Sequence, residues 1–213
     1  MTIEQGLKLK PAFYIPHYGI KGVEIPGVGR NDLPKFLFDR GCRVGVEIGT
    51  DKGEYGISLC QAGLKVFGID SYVNYPGFKM PGQYENHYPI ALKNLKGYDY
   101  KIIKKFSHEA VADFKDRSLD FVYIDGNHTL PYVVQDIFDW ETKLKVGGIM
   151  SGHDYGFIYG PGERKKPKIY DGSHVRGAVD ICAYIMRVGK LYILGKRTEK
   201  GRDKWRSWFW IKQ

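Results

Sequence analysis

Asp125, His128, His153 and Asp154 are the residues of this 213-residue chain whose types and spacing could do chemistry together. Asp125 closes the apolar run LDFVYI, and His128 follows three residues later. His153 and Asp154 close a second run, VGGIMS. If the two runs are neighbouring parallel strands, their C-terminal ends converge and the four side chains share one cleft. Carboxylates grouped with imidazoles either hold a divalent cation or move protons, and the residues alone leave both uses open. A second group lies upstream. Glu47-Ile48-Gly49-Thr50-Asp51-Lys52-Gly53 follows a buried run, and its glycines permit a tight turn and close backbone approach to a ligand. The pattern is not G-x-G-x-x-G, which disfavours a nicotinamide oxidoreductase. Glu47 would repel a diphosphate and suit an ammonium group. Asp70, followed by Ser71 and Tyr72, ends the next run, where a carboxylate can accept both hydroxyls of a ribose. The expected ligand has a ribose and a positive charge, and no pyrophosphate.

These groups need a scaffold that brings strand ends together. Short apolar runs predict strands over residues 43–48, 65–69, 100–106, 119–124 and 146–151. Between them the pattern predicts helices over 32–40, 53–62, 89–96, 107–114 and 130–143. Asp32 is the expected N-cap of the first, Pro89 opens the third and Ser107 caps the fourth. A further helix is expected over 173–188, then two strands near 190–196 and 204–212. Strands alternating with helices mean right-handed crossovers and an α/β, Rossmann-like sheet wound on both faces. The last two strands have no helix between them, so they should pair as an antiparallel hairpin at one end of the sheet. Residues 1–30 show no lasting period and are expected to wrap over the core or the site. The stretches 71–88 and 155–172 leave strand ends and are expected to be active-site loops of a single domain spanning 1–213.

The four segments VEIGTDKG, FGIDS, VYIDGNHT and VGGIMSGHDY, in that order and spacing, resemble the class I S-adenosylmethionine-dependent methyltransferases. More closely, they are similar to the methyltransferase-24-like group, which is related to the metal-dependent catechol-type O-methyltransferases. The resemblance covers roughly residues 42–195. It implies a seven-stranded sheet in the order 3-2-1-4-5-7-6 with only the last strand antiparallel. It implies that Glu47, Gly49, Thr50 and Gly53 lie beside the methionine part of S-adenosylmethionine. Asp70, with Ser71 beside it, would hold the ribose, and Ser107 and His108 would meet the adenine. It carries metal binding to Asp125 and Asp154, with His153 as third ligand, and the base role to His128. Asp125 would thus serve cofactor, metal and catalysis. His153 stands where the relatives carry a carboxylate or amide, and imidazole makes a transition metal as suitable as Mg²⁺.

Composition narrows the rest. With 43% hydrophobic and 15% aromatic residues the chain can bury a core. No apolar run approaches the roughly 18 residues needed to cross a bilayer. The start lacks a secretory apolar stretch, and Cys42, Cys60 and Cys182 are too few and scattered for a disulfide framework, which points to the cytoplasm. The net charge of +9 falls entirely within residues 161–213. Part of it is Arg164–Lys168, expected to overhang the cleft with Tyr72, Tyr75, Phe78, Tyr84, Tyr155, Phe157 and Tyr159. Such a rim suits an acidic, sugar-like or phenolic small-molecule acceptor. The rest is Arg197, Lys200, Arg202, Lys204 and Arg206, interleaved with Trp205, Trp208, Phe209 and Trp210. That mixture could bind nucleic acid. A strand with core aromatics and solvated charges explains it more simply, so a nucleic-acid methyltransferase and a non-catalytic binding module are the alternatives. A homo-oligomer is left open.

Overall fold

The computed structural model describes residues 1–14, 20–73, 83–156, 173–195 and 205–213. Among these residues nine strands form one sheet: β1 (Phe13–Tyr14), β2 (Lys21–Ile25), β3 (Val44–Ile48), β4 (Lys65–Ile69), β5 (Tyr100–Ile103), β6 (Leu119–Ile124), β7 (Leu144–Tyr155), β8 (Lys190–Leu194) and β9 (Arg206–Ile211). Their order is β1-β2-β8-β9-β7-β6-β3-β4-β5. From β3 onward this is the expected seven-strand order, with β9 antiparallel to both β7 and β8.

The helices are α1 (Ile3–Gly6), α2 (Leu33–Asp39), α3 (Glu54–Gln61), α4 (Gln83–Asn94), α5 (Ser107–Ala110), α6 (Leu130–Glu141) and α7 (Ser173–Ile185). Alternate residues of the central strands serve the two faces. Val122 and Ile124 pack with Val133, Ile137 and Trp140 of α6 and with Val179 of α7. Phe121 and Tyr123 pack with Leu33 and Leu37 of α2 and Tyr55 and Leu59 of α3. β9 alternates in the same way: Trp208 and Trp210 join the first cluster and Phe209 the second. Its aromatics are core residues, so they offer no stacking surface to a base.

Several expectations are corrected. Residues 1–30 do not simply wrap: β2 pairs in parallel with β8, and β1 adds antiparallel beyond it. The closing pair of strands is therefore not at the end of the sheet, and β9 is flanked on both sides. Arg206, read as solvated, is buried for that reason and its Nη1 pairs with Glu24 Oε1 of β2 at 2.6 Å. Pro89 lies inside α4 rather than opening it. β5 ends at Ile103, three residues early. Asp32 makes no side-chain cap on α2; its carboxylate accepts the Gly29 N–H at 2.7 Å. Phe106, not Ser107, is the N-cap of α5, because Glu109 reaches back to the Phe106 N–H and the Ser107 hydroxyl is engaged elsewhere.

Register decides what the sheet presents at its edge. Ile48 pairs with both Ile69 and Ile124, Ile69 with Ile103, and Ile124 with Gly152. Gly49, Asp70 and Asp125 therefore leave the sheet at one level, with His153 beside them on β7. β7 extends beyond the expected boundary, and its pairing with β9 slips between Gly152 and Tyr155. Such a bulge re-aims side chains. Asp154 sits in it with φ 58°, a left-handed conformation that favours glycine and is tolerated by Asp.

Candidate functional site

A cavity of about 430 Å³ opens along this edge, within the usual size of a small-molecule site, about 300–1,000 Å³. Gly49, Asp51, Asp70, Ser71, Ser107, His108, Asp125 and His128 all line it, drawn from the ends of β3, β4, β5 and β6. Gly49 has φ 91°, and a Cβ added there would strike the Asp125 carbonyl. Only glycine meets both demands, which is the physical content of the first motif. Gly53, the N-cap of α3, is left-handed too.

Asp70 is built in twice. Its Oδ2 accepts the Asp51 N–H and its Oδ1 accepts the Tyr72 N–H, both at 2.9 Å. Asp51 and Tyr72 are themselves left-handed, with φ 49° and 53°. The carboxylate thus caps two turns while still lining the cavity. Burial pushes its pKa upward against those two bonds. Tyr84 closes the wall from α4, and His87 Nδ1 pairs with Asp51 Oδ1. Glu47 is placed differently. It is buried beneath the turn, accepting the Tyr100 hydroxyl on Oε2 at 2.5 Å, and does not line the cavity. Thr50 Oγ1 lies 3.1 Å from the same hydroxyl. Burial pushes the Glu47 carboxyl up to about 8, against the Tyr100 bond and the Arg30 charge.

At the other group, Asp125, His128 and Asp154 converge: one ligand atom from each lies within 4.8 Å of the others. His128 Nε2 stands 2.9 Å from Asp154 Oδ2 and 3.5 Å from Asp125 Oδ1. An Asx turn aims it, since Asn127 Oδ1 accepts both the Thr129 N–H and its hydroxyl at 2.9 Å as α6 begins. Burial works against charge on His128, yet the two carboxylates overcome it and push its pKa up to about 10. Burial would raise Asp154, but its bonds to His128 and His153 hold it well below the carboxylate range. His153 stands behind this trio. Its Nδ1 is 3.4 Å from Asp154 Oδ1, its carbonyl accepts the Trp208 indole N–H, and it is not one of the three converging donors.

Sequence reasoning missed Arg30. Its Nη2 lies 2.7 Å from Asp125 Oδ2, and its guanidinium stacks 4.3 Å from the centroid of the Tyr55 ring. The turn that delivers it is fixed by Asp32 on Gly29 and by the Tyr55 hydroxyl donating to the Arg30 carbonyl. The partners are 95 residues apart, so no local pattern could have flagged the pair. The expected rim residues Tyr75, Phe78, Phe157, Tyr159 and Arg164–Lys168 lie outside the described residues, as do Arg197, Lys200, Arg202 and Lys204. Of the rim, Tyr72 and Tyr155 are buried. The Tyr155 hydroxyl donates to Asp180 Oδ1 at 2.6 Å, so it braces the end of β7.

The sequence profile of the Methyltransferase domain family, methyltransferase-24, matches residues 46–155, from β3 to the end of β7. The chain belongs to this family. Solved methyltransferase structures share the fold. An O-methyltransferase from Bacillus cereus, in complex with S-adenosylhomocysteine, is 18% identical with a TM-score of 0.60, covering 84% of this chain and 80% of that one. The O-methyltransferase TomG from Streptomyces achromogenes, involved in tomaymycin synthesis and in complex with S-adenosylmethionine, is 15% identical with a TM-score of 0.60, covering 85% and 80%. A candidate caffeoyl-CoA O-methyltransferase from Staphylococcus aureus reaches a TM-score of 0.63 at 16% identity, covering 86% and 82%. Among curated proteins, the uncharacterized protein y4gI of Sinorhizobium fredii is 27% identical over 118 residues. That match takes in 51% of this chain, which spans 13% of the length of that relative. Among the described residues of this methyltransferase-family chain, no helix is long and apolar enough to cross a membrane.

Proposed function

We propose that the protein is an S-adenosylmethionine-dependent O-methyltransferase acting on a small hydroxylated acceptor. The observation that carries this reading is the continuity of one cavity from the Gly49 turn and Asp70 to Asp125 and His128. A ribose-binding carboxylate and an acid–base group open into the same space. The sulfonium methyl of the cofactor is already activated, so the chain has to align an acceptor and take its proton. Asp70 and Ser71 bind the ribose hydroxyls, the turn from Gly49 to Gly53 approaches the amino-acid part, and Ser107 and His108 meet the base. His128, whose pKa Asp125 and Asp154 push up to about 10, takes the acceptor's proton in its neutral form, which becomes available as pH rises toward that value, and the two carboxylates hold the ring and offset the charge it gains. Arg30 places a permanent positive charge beside Asp125 that favours an acidic or ionising acceptor.

Two carboxylates and an imidazole also fit a divalent ion, which Asp125, His128 and Asp154 would hold and whose charge would lower the pKa of an acceptor hydroxyl. The same carboxylates are matched by Arg30 and His128, so the residues fit proton transfer with or without an ion. Calorimetry with S-adenosylhomocysteine, then methyl transfer to catechols, phenolic acids and sugars with Mg²⁺, Mn²⁺ or chelator, tests both levels. Binding and turnover of one acceptor class are expected. No S-adenosylhomocysteine binding by the full chain sinks the reading. Turnover indifferent to chelator sinks only metal assistance.

A further inference from the structure

The donor types of Asp125, His128 and Asp154 suit a divalent ion, but this chain already sets a fixed cation on them. All four carboxylate oxygens lie within 3.5 Å of a side-chain nitrogen. Arg30 Nη2 is 2.7 Å from Asp125 Oδ2, and His128 Nε2 is 3.5 Å from Asp125 Oδ1. His128 Nε2 is 2.9 Å from Asp154 Oδ2, and His153 Nδ1 is 3.4 Å from Asp154 Oδ1. Of these three partners, only the guanidinium keeps its charge at every working pH. It is also firmly held. It lies 4.3 Å from the centroid of the Tyr55 ring and 5.5 Å from that of Tyr123, and both rings are buried. The two rings pack on each other at 4.3 Å, so the platform is itself fixed. The Tyr55 hydroxyl also donates to the Arg30 carbonyl at 3.3 Å, so one residue restrains both side chain and main chain. A guanidinium stacked in this way is pre-organised for its carboxylate, as an exposed lysine is not.

We infer that Arg30 stands in for a divalent cation at Asp125, so that an ion is kept out and methyl transfer proceeds without one. The inference rests on the proposed methyl-transfer reading and decides its open point, whether an ion takes part. An ion on Asp125 would have to break a charge-assisted hydrogen bond and then sit beside a like charge. Arg30 acts through Asp125 as a positioning residue, holding one oxygen of the carboxylate while the other faces His128. The transfer itself balances without an ion. The acceptor's proton passes to His128, an oxygen lone pair forms the bond to the methyl carbon, and the pair of the broken C–S bond returns to sulfur. Arg30 lies outside residues 46–155, the region that the family profile matches, so the profile does not account for it.

Calorimetry with Mn²⁺ on the full chain tests this without a turnover assay. Arg30→Ala is expected to bind Mn²⁺ at least about tenfold more tightly than wild type, because one close like charge is gone. Adding Asp125→Asn to Arg30→Ala is expected to bring the affinity back to within about threefold of wild type, because the gain runs through that carboxylate. Damage to the fold would lower the affinity, so it cannot imitate the gain. A change of less than about threefold in a folded Arg30→Ala overturns the inference, as does a gain that survives Asp125→Asn. If Arg30→Ala fails to fold, wild type decides. Mn²⁺ bound with a Kd below about 10 μM, the range of a built oxygen-ligand site, overturns the inference, and weaker binding supports it. If wild type does not bind S-adenosylhomocysteine, the methyl-transfer reading has failed, and the Mn²⁺ comparison still reports separately on Arg30.

Discussion

Glu47 and His128 show how one site can hold titrating groups in opposite surroundings. Glu47 has little but the Tyr100 hydroxyl and a screened Arg30 to support its charge, and its pKa rises from 4.5 to about 8. A carboxyl whose folded pKa is raised binds more protons folded than unfolded between those values. Its contribution to stability is full below about pH 4.5 and is lost as pH climbs through 8. Glu47→Gln should then match wild type at pH 5 and exceed it by about one to a few kcal/mol at pH 9. Urea unfolding at both values checks this, and a pH-independent difference would remove the burial argument. His128 is the other case, a cation held between two carboxylates. His128→Gln should lower kcat by about 10²–10⁴-fold, the usual worth of a positioned acid–base group, with S-adenosylhomocysteine affinity changed little. Loss of cofactor binding with unchanged kcat would move His128 from proton transfer to the binding site.

At the scale of elements, the site depends on how closely β3, β4 and β5 approach. Tyr100 of β5 crosses over Gly68 of β4 to reach Glu47 and Thr50 on and just beyond β3. A Cβ on Gly68 would overlap the Tyr100 hydroxyl and Thr50 Oγ1. Gly68→Ala should cost about 1–3 kcal/mol, the usual range for overpacking, and should weaken cofactor binding by disturbing the turn after β3. Unchanged unfolding and affinity would mean that the crossing is slack. The seven strands from β3 onward were legible in the sequence because each buried run is short and apolar and all but the last two are separated by helical pattern, whereas their order followed from the resemblance to the methyltransferase family. Boundaries were less so. Pro89 reads as a helix start, and only the preceding turn of α4 shows that the helix accommodates it. His153 and Asp154 read as the close of a strand over 146–151, whereas a bulge keeps them inside a longer β7, and the slip against β9 is invisible from β7 alone.

Across the whole molecule, the N-terminal segment joins scaffold to site. KGVEI lies among Gly and Pro and is broken by charged residues, so it does not announce a strand, and its partner β8 comes from the other end of the chain. Its burial of Ile3, Val23, Ile25 and Val28 against the core contributes about 1.5–3 kcal/mol per side chain. The Glu24–Arg206 pair ties it to β9. The same segment then turns through Gly29 to set Arg30 on Asp125. These two tasks can be separated. Deleting residues 1–28 should expose the β8 edge and lower Tm by more than about 10 °C, taking activity with it. Arg30→Ala removes a partly buried stack and one ion pair, so its Tm should fall by no more than about 6 °C. It leaves Asp125 without its guanidinium, so turnover should drop by at least about tenfold while S-adenosylhomocysteine binds as before. Thermal unfolding, calorimetry and a methyl-transfer assay on both variants decide the matter. Full turnover by Arg30→Ala would make the segment a scaffold alone. Lost turnover at near-native stability would make an arginine outside the matched 46–155 region part of the site, because only a charge reaching Asp125 from beyond the family core can act without holding the sheet together.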